Sequence, residues 1–291
     1  MARRRPPTVH GLVLLDKPAG MTSHDAVFKL RKHFGEKRMG HAGTLDPDAT
    51  GLLVVGVGNA TRLIRFMGDM DKTYSCEIVL GSETDTLDDS GVTTATYEMT
   101  PPDIEDVRRI VAEKFVGNIM QIPPMVSALK VDGVRLHQLA REGIEIERAP
   151  RPITVYSFEV EATDNPMVIR ATVRCGGGTY IRSLGADLGT ALGGGAHIRT
   201  LRRHTTGPYS LDEACTLEEP VLLPVIDTVR GMSMHELDAE GVDNAQFGRV
   251  REAWDGDGPW ACTDTNGELV AVFELWRDRI AKPTVVFGGR G

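Results

Sequence analysis

Residues 40–51 read Gly40-His41-Ala42-Gly43-Thr44-Leu45-Asp46-Pro47-Asp48-Ala49-Thr50-Gly51, and neither a helical nor a strand period fits them. Three glycines, one proline and three ionisable side chains share these twelve positions, the composition of a loop with special backbone geometry. Such a loop has two readings. It is a surface turn begun by Asp46-Pro47-Asp48, or it is a scaffold that positions a functional carboxylate. Composition leaves both open.

The flanks fix the fold class. Upstream, Val27, Leu30 and Phe34 follow helical spacing, with Asp25 in the first turn, Arg31 and Lys32 in the last and Gly35 as a stop, which predicts a helix capped by Ser23. Downstream, Thr73 to Leu80 reads as a strand with Tyr74, Cys76, Ile78 and Leu80 on one face, and Ile153–Val160 and Met167–Cys175 read likewise. The stripe Ile104, Val107, Val111 and Phe115 predicts a helix opened by Thr100-Pro101 and ended by Gly117. Two short helices are expected, one at Leu136, Leu139 and Ala140 before Gly143, the other at Leu184, Leu188 and Leu192. Helices interrupt the strands without the regular alternation of a doubly wound sheet, so the expected class is α+β around a largely antiparallel sheet. From about Asp227 the texture changes. Turns at Asp255-Gly256-Asp257-Gly258-Pro259 and Asn266-Gly267 separate short runs such as Leu269–Leu275 and Thr284–Phe287, which predicts a large domain over 1–226 and a small acidic β-rich module over 227–291.

Composition narrows the function classes. With 291 residues, 41% hydrophobic and 25% charged, the chain can bury a sizeable core. Its net charge of −8 argues against an overall basic coat for nucleic acid, yet residues 1–70 carry +5, residues 71–204 −4 and the remainder −9. The cations concentrate at the N-terminal end. No apolar run approaches the roughly 20 residues that span a bilayer. Met1 to Pro7 lacks the apolar stretch of a signal peptide and reads as a flexible basic arm. Cys76, Cys175, Cys215 and Cys262 contain no C-x-x-C pair, which points to reduced, mostly buried thiols in a cytoplasmic protein.

Other signals are weaker. Gly176-Gly177-Gly178 and Gly193-Gly194-Gly195 lack the following Gly-Lys-Ser/Thr of a P-loop and read as turns. Gly56 to Thr61 imitates a dinucleotide fingerprint but has neither its third glycine nor its acidic residue. His10, His24, His41, His137, His197 and His204 form no H-x-x-x-H pair, so no metal site is expected. His197, Arg199, Arg202, Arg203 and His204 either face phosphate or form a solvated helix face.

Gly40 to Pro47 resembles the catalytic signature of the bacterial TruB family of tRNA pseudouridine synthases, and other motifs agree in family order. Asp16 to Ser23 is similar to the family's opening motif, Lys72-Thr73-Tyr74 to its tyrosine motif, Pro123 to Lys130 to its mid-chain segment and Gly178 to Leu184 to its arginine motif. The tail Lys282 to Phe287 is similar, over a short match, to a C-terminal PUA-type RNA-binding module. Val126 stands where relatives often carry an aromatic residue, His204 where threonine is common, and Asp48 where an apolar or small residue is usual.

The resemblance implies a pseudouridine synthase fold and an enzyme that isomerises uridine to pseudouridine in the tRNA T-loop, position 55, with no cofactor or metal. It implies Asp46 as nucleophile or as the base that starts a glycal route, with a guanidinium, Arg182, keeping it charged. Tyr74 stacks on the base, and its phenol is a candidate to help remove the C5 proton. His41 fills the space left by a flipped base, and Tyr180 and Leu201 wall the pocket. Lys17 and Arg202 are counted with the substrate-binding residues. A monomer acting on the tRNA T-arm is expected. The competing readings are a non-catalytic tRNA-binding or folding factor and an RNA-guided relative acting on ribosomal RNA.

Overall fold

The computed structural model describes residues 6–127, 130–131, 134–135, 143–144 and 146–288. The expected basic arm at 1–5, the expected helix at Leu136, Leu139 and Ala140, and Ala128 and Leu129 of the mid-chain motif lie outside the described residues. The chain begins with β1 (Gly11–Lys17), α1 (Ser23–Phe34), β2 (Met39–His41), β3 (Thr50–Val57), 3-10 turns over Gly58–Arg62 and Ile64–Met67, and β4 (Lys72–Leu80). The hairpin β5 (Ser82–Thr84) and β6 (Thr93–Thr96) precedes α2 (Ile104–Lys114), β7 (Gly117–Gln121) and a second hairpin of β8 (Lys130–Val131) and β9 (Val134–Arg135). Then come β10 (Arg151–Ala162), β11 (Val168–Cys175), α3 (Ile181–Ala191), β12 (Ala196–Thr206) and β13 (Tyr209–Ser210).

Seven strands form the large sheet in the order β1-β3-β12-β4-β11-β10-β7, with β2 added on β3 and β13 on β12. Every pairing is antiparallel except β3 with β12. The α+β class and the three expected strands stand as read. β4 alternates as expected, with Tyr74, Cys76, Ile78 and Leu80 buried and Thr73, Ser75 and Glu77 toward the wet face. β1 and β3 behave differently. Leu12 to Leu15 and Leu52 to Val55 are buried on both faces, Val13, Leu15, Leu53 and Val55 in the main core and Leu12, Leu14, Leu52 and Val54 in a second cluster around Met67 and Tyr209. Each such side chain contributes about 1.5–3 kcal/mol of burial free energy.

The helices differ from expectation at their ends. Thr22, not Ser23, caps α1 through a capping box with Asp25. Ser23 turns inward instead, and its hydroxyl donates to the Leu45 carbonyl at 3.1 Å and accepts from the Leu45 N–H at 2.9 Å. The helix is thereby tied to the 40–51 loop. α2 is capped by Asp103, not Thr100, because Pro101 and Pro102 delay the start until a side-chain acceptor adjoins the first turn. It closes at Phe115, and Gly117 opens β7 rather than ending the helix. α3 lies close on the sheet because Gly185 and Gly189 carry no Cβ, which would sit 2.4 Å from Ile198 Cγ2 and 2.5 Å from the Ala196 Cβ.

Beyond Ser210, a 3-10 turn at Val225–Val229 leads to β14 (Ser233–Glu236), α4 (Ala239–Gln246), β15 (Arg251–Glu252), β16 (Trp260–Thr263), β17 (Leu269–Arg277) and β18 (Ile280–Val286). These strands make a five-stranded sheet, β14-β16-β17-β18-β15, with its own core of Leu237, Ala245, Trp260 and Phe273. One face is shared. Ala261, Leu269, Val272 and Val285 pack with Leu63, Phe66, Val225 and Ile226. Arg62 adds a bond to the Val286 carbonyl at 2.9 Å, and Arg65 pairs with Glu274.

Candidate functional site

The 40–51 loop leaves β2, turns through Asp46 and re-enters the sheet at β3. Its return depends on Gly51, at φ 100°, where a Cβ would meet the Arg203 carbonyl oxygen at 2.2 Å. Only glycine fits the close approach of β3 to β12 at this point. Lys17, at the end of β1, is fully buried, and its ammonium donates to the carbonyls of Pro18 (2.8 Å), Met21 (2.8 Å) and Pro47 (3.0 Å). Burial pushes this amine down to about 8, against the opposing pull of Asp48 and Asp46. Lys17 therefore fixes the backbone beside Asp46 and uses all three protons doing so.

From the other side α3 brings Arg182. The helix has no side-chain cap of its own at Tyr180. The Gln121 amide does that work: its nitrogen donates to the Tyr180 carbonyl and its oxygen accepts from the Tyr180 N–H, both at 2.9 Å. Ser183 adds a bond to the Ile122 carbonyl at 3.0 Å. With its base held, Arg182 projects buried into the site. Its Nε lies 3.0 Å from Asp46 Oδ2, Nη2 donates to Asp46 Oδ1 at 3.2 Å, and further bonds reach the carbonyls of Thr86 (2.6 Å) and Val126 (2.8 Å). A second carboxylate, Asp88, stands 3.6 Å from Nε. Burial raises the Asp46 carboxyl above the usual aspartate range. Arg182 opposes the rise and Asp88 adds to it. The guanidinium thus opposes the cost of burial without cancelling it.

Asp46 and Arg182 open on a cleft of about 250 Å³ whose wall includes Lys72, Tyr74, Ser127, Tyr180, Leu201 and Arg203. Tyr74 is buried on β4, and burial pushes its phenol up while Arg203 pulls it back. Burial also raises the Tyr180 phenol, which bonds to Ser127. Lys72 donates to the carbonyls of Gly68 (3.0 Å) and Met70 (2.6 Å). Five of the residues singled out from sequence, Asp46, Tyr74, Arg182, Tyr180 and Leu201, therefore share one cavity.

The other three stand outside its wall. His41 lies in β2 beside the loop, edge-on to His24 at 6.1 Å, with its pKa lowered first by burial. Arg202 makes a two-nitrogen pair with Asp16 at 3.1 and 2.8 Å, and Lys17 is engaged as above. Asp48 is exposed. The basic cluster, for which a solvated helix face is one of two readings, lies on strand β12, where Arg199 pairs with Glu77 at 2.7 Å and Ser75 bonds to His204 at 2.7 Å. Asp88 and Gln121 are site residues that no sequence motif marks, and Arg203, named in sequence only as one of the basic cluster, joins them. Among the described residues, no group of three or more His, Cys, Asp and Glu side chains is arranged to hold a metal ion. Among the same residues, no helix is long and apolar enough to cross a membrane.

The chain matches the model of the TruB family pseudouridylate synthase N-terminal domain over residues 31–181. It also matches that of the tRNA pseudouridylate synthase B C-terminal domain over 182–222. It is 40% identical over 296 residues to tRNA pseudouridine synthase B of Arthrobacter sp. (strain FB24), covering 95% of this chain and 96% of the relative. It is 40% identical over 297 residues to the protein of that name from Streptococcus sanguinis (strain SK36), covering 96% and 100%. The fold is also that of a chain in a solved H/ACA RNP bound to a substrate RNA containing 2'-deoxyuridine. There the TM-score is 0.71 at 23% identity, over 95% of this chain and 84% of that one.

Proposed function

The chain belongs to the TruB family of pseudouridylate synthases and isomerises uridine to pseudouridine in tRNA; we propose that it acts on the T-loop uridine, position 55, through Asp46. The reaction breaks the N1–C1′ bond, turns the base, joins C5 to C1′, and trades the C5 proton for one on N1. Nothing is oxidised and no group is supplied from outside. The protein must therefore hold a carboxylate against the ribose or base, confine the free base and accept a proton.

The observation that carries the reading is the two-nitrogen contact of Arg182 with Asp46 at a cleft that also holds Tyr74. A carboxylate in this position serves as nucleophile or as base. Tyr180 and Leu201 wall the space a base would fill, and Tyr74 supplies a ring to stack on it. The cleft lies inside the fold, so the uridine must leave its stack, at a cost of about a few kcal/mol. His41, beside the loop, is the side chain assigned to the vacated space.

We assign residues 1–226 to catalysis and 227–291 to a PUA-like RNA-binding module. Support for RNA contact is local: Arg251 lies over Trp254 at 3.8 Å, and Arg277 and Lys282 flank the half-exposed Trp276 at 4.1 and 5.8 Å. Aromatic faces beside cations suit unpaired bases. The enzyme works as a monomer on the T-arm in the cytoplasm.

The test is tritium release from an unmodified tRNA transcript carrying C5-labelled uridine. The enzyme releases tritium and Asp46→Asn does not. A non-catalytic binding or folding factor would release none in either form.

A further inference from the structure

We propose that Arg203 is a positioning residue for this isomerisation: it fixes the Tyr74 phenol relative to the loop that carries Asp46. The proposal rests on the reading of Asp46 and Tyr74 given above. Arg203 is only 1% exposed, and among the described residues it forms no ion pair. A buried guanidinium with no carboxylate partner is costly unless its donors are used. Two of them are used, on two elements. Nε donates to the Leu52 carbonyl at 2.7 Å in β3, and Nη2 donates to the Gly43 carbonyl at 3.1 Å in the 40–51 loop. Tyr74 is its direct partner across the β4–β12 ladder and shares its face of the sheet and its cavity.

The backbone is built to aim this side chain. Between Arg199 and Arg202 the ladder slips by one residue, Thr200 takes a left-handed φ of 56°, and the ladder slips again between Arg203 and Thr205. Paired slips of this kind re-aim side chains and gather next to active sites. Here the first brings Arg203 to the inner face. The space around it is tight, since a Cβ on Gly43 would lie 3.3 Å from Nη1. The charge also acts on the phenol, whose rise on burial Arg203 opposes.

A side chain that acts through Tyr74 loses its effect when the phenol is gone. The experiment is a double-mutant cycle of Arg203→Lys and Tyr74→Phe, read by single-turnover tritium release and by KM for tRNA. Arg203→Lys keeps the charge but loses the fork that reaches the Leu52 and Gly43 carbonyls at once from beside Tyr74. It should slow the single-turnover step about tenfold to a hundredfold with KM within about threefold, and cost little further in the Tyr74→Phe background. Losses that multiply in full, or a loss confined to KM, overturn the proposal. If the wild-type chain releases no tritium, the underlying reading fails instead, and the two failures are distinct. If Arg203→Lys does not fold by circular dichroism, 15N-arginine-labelled wild type and Tyr74→Phe carry the test. The Arg203 Nη signals should move when the phenol oxygen is removed, and unmoved signals overturn the proposal.

Discussion

Arg182 meets both carboxylate oxygens of Asp46, Nε at 3.0 Å from Oδ2 and Nη2 at 3.2 Å from Oδ1, across 136 positions of sequence. The guanidinium is buried whereas Asp46 keeps a 39% exposed side chain, so the pair has one fixed member and one that faces the cleft. Replacing Arg182 by Met removes that anchor and strands the carbonyls of Thr86 and Val126. We expect turnover to fall on the order of a thousandfold and stability by about 3 kcal/mol. Arg182→Lys, with a single compact ammonium, should recover only part of the turnover. Single-turnover tritium release and thermal unfolding together check both expectations.

Asp46→Asn should abolish tritium release while leaving tRNA binding within about threefold, because the amide keeps size and polarity but neither attacks nor accepts a proton. Its effect on stability has the opposite sign. The Asp46 carboxyl titrates above its unfolded value, so the folded state pays for the charge at neutral pH, and the variant should melt at or above the wild-type temperature. Asp48→Asn should change little in either assay. An inactive Asp48 variant beside an active Asp46 variant would refute the assignment.

The pH profile tests the same electrostatics. With Asp46 in its proposed role, activity should be lost as pH falls through its raised pKa, at a higher pH than an ordinary aspartate would give. Asp88 contributes to that rise. Asp88→Asn should therefore move the acid limb of the single-turnover rate to lower pH, and an unmoved or upward limb would show that Asp88 does not act on Asp46.

Salt dependence should expose the tRNA surface, since a chain of net charge −8 must bind phosphate through local cations. Lys32 and Lys37 are exposed, whereas Arg31 donates to the Met39 carbonyl at 3.0 Å and belongs to the fold. Charge reversal of Lys32 and Lys37 should weaken binding and flatten the slope of log affinity against log salt by about one for each phosphate these cations neutralise. Arg31→Glu should lower the melting temperature as well. Unchanged slopes would place the phosphate-binding surface elsewhere.

Truncation after Asp227 bears on the second sheet. Such a chain keeps every cleft residue but uncovers Leu63 and Phe66, and it cuts the 3-10 turn at Val225–Val229. We expect it to retain tritium release at low temperature, with a raised KM for tRNA and a clearly lower melting temperature. Leu63→Ala in the full chain should cost about 2–5 kcal/mol for the same reason. Equal melting temperatures would show that the shared apolar face contributes nothing.

Legibility in sequence follows the number of buried faces. β4 and β11 alternate because one face is wet, and period two picks them out; β10 does so in two halves that change phase at the slip between Val155 and Ser157. β1 and β3 carry apolar side chains on both faces, so Leu12 to Leu15 and Leu52 to Val55 show no period and give no strand signal. α1 and α3 are readable from their stripes, but the cap of α3 is not, because it comes from Gln121 in another strand. At the site, the residues within recognisable motifs are legible and the partners that serve them are not. Asp88 sits among the turn-forming residues of an acidic loop, and only the fold brings it to Arg182. Arg199, Arg202 and Arg203 look alike in sequence. Backbone slips, which leave no compositional mark, send the first two to carboxylates on the outside and the third to Tyr74.

Those slips give β12 a reading frame. Ile198 points inward, and plain alternation from it would turn Thr200 and Arg202 inward as well; one extra position makes Leu201 and Arg203 the inward pair. The lining of this cavity is thus encoded by counting as well as by residue type. Removing Thr200 would return the strand to plain alternation with Leu201 and Arg203 still facing the cleft. Removing Arg202 instead would turn Arg203 out to solvent and present His204 to Tyr74, a frameshift in space with none in the gene.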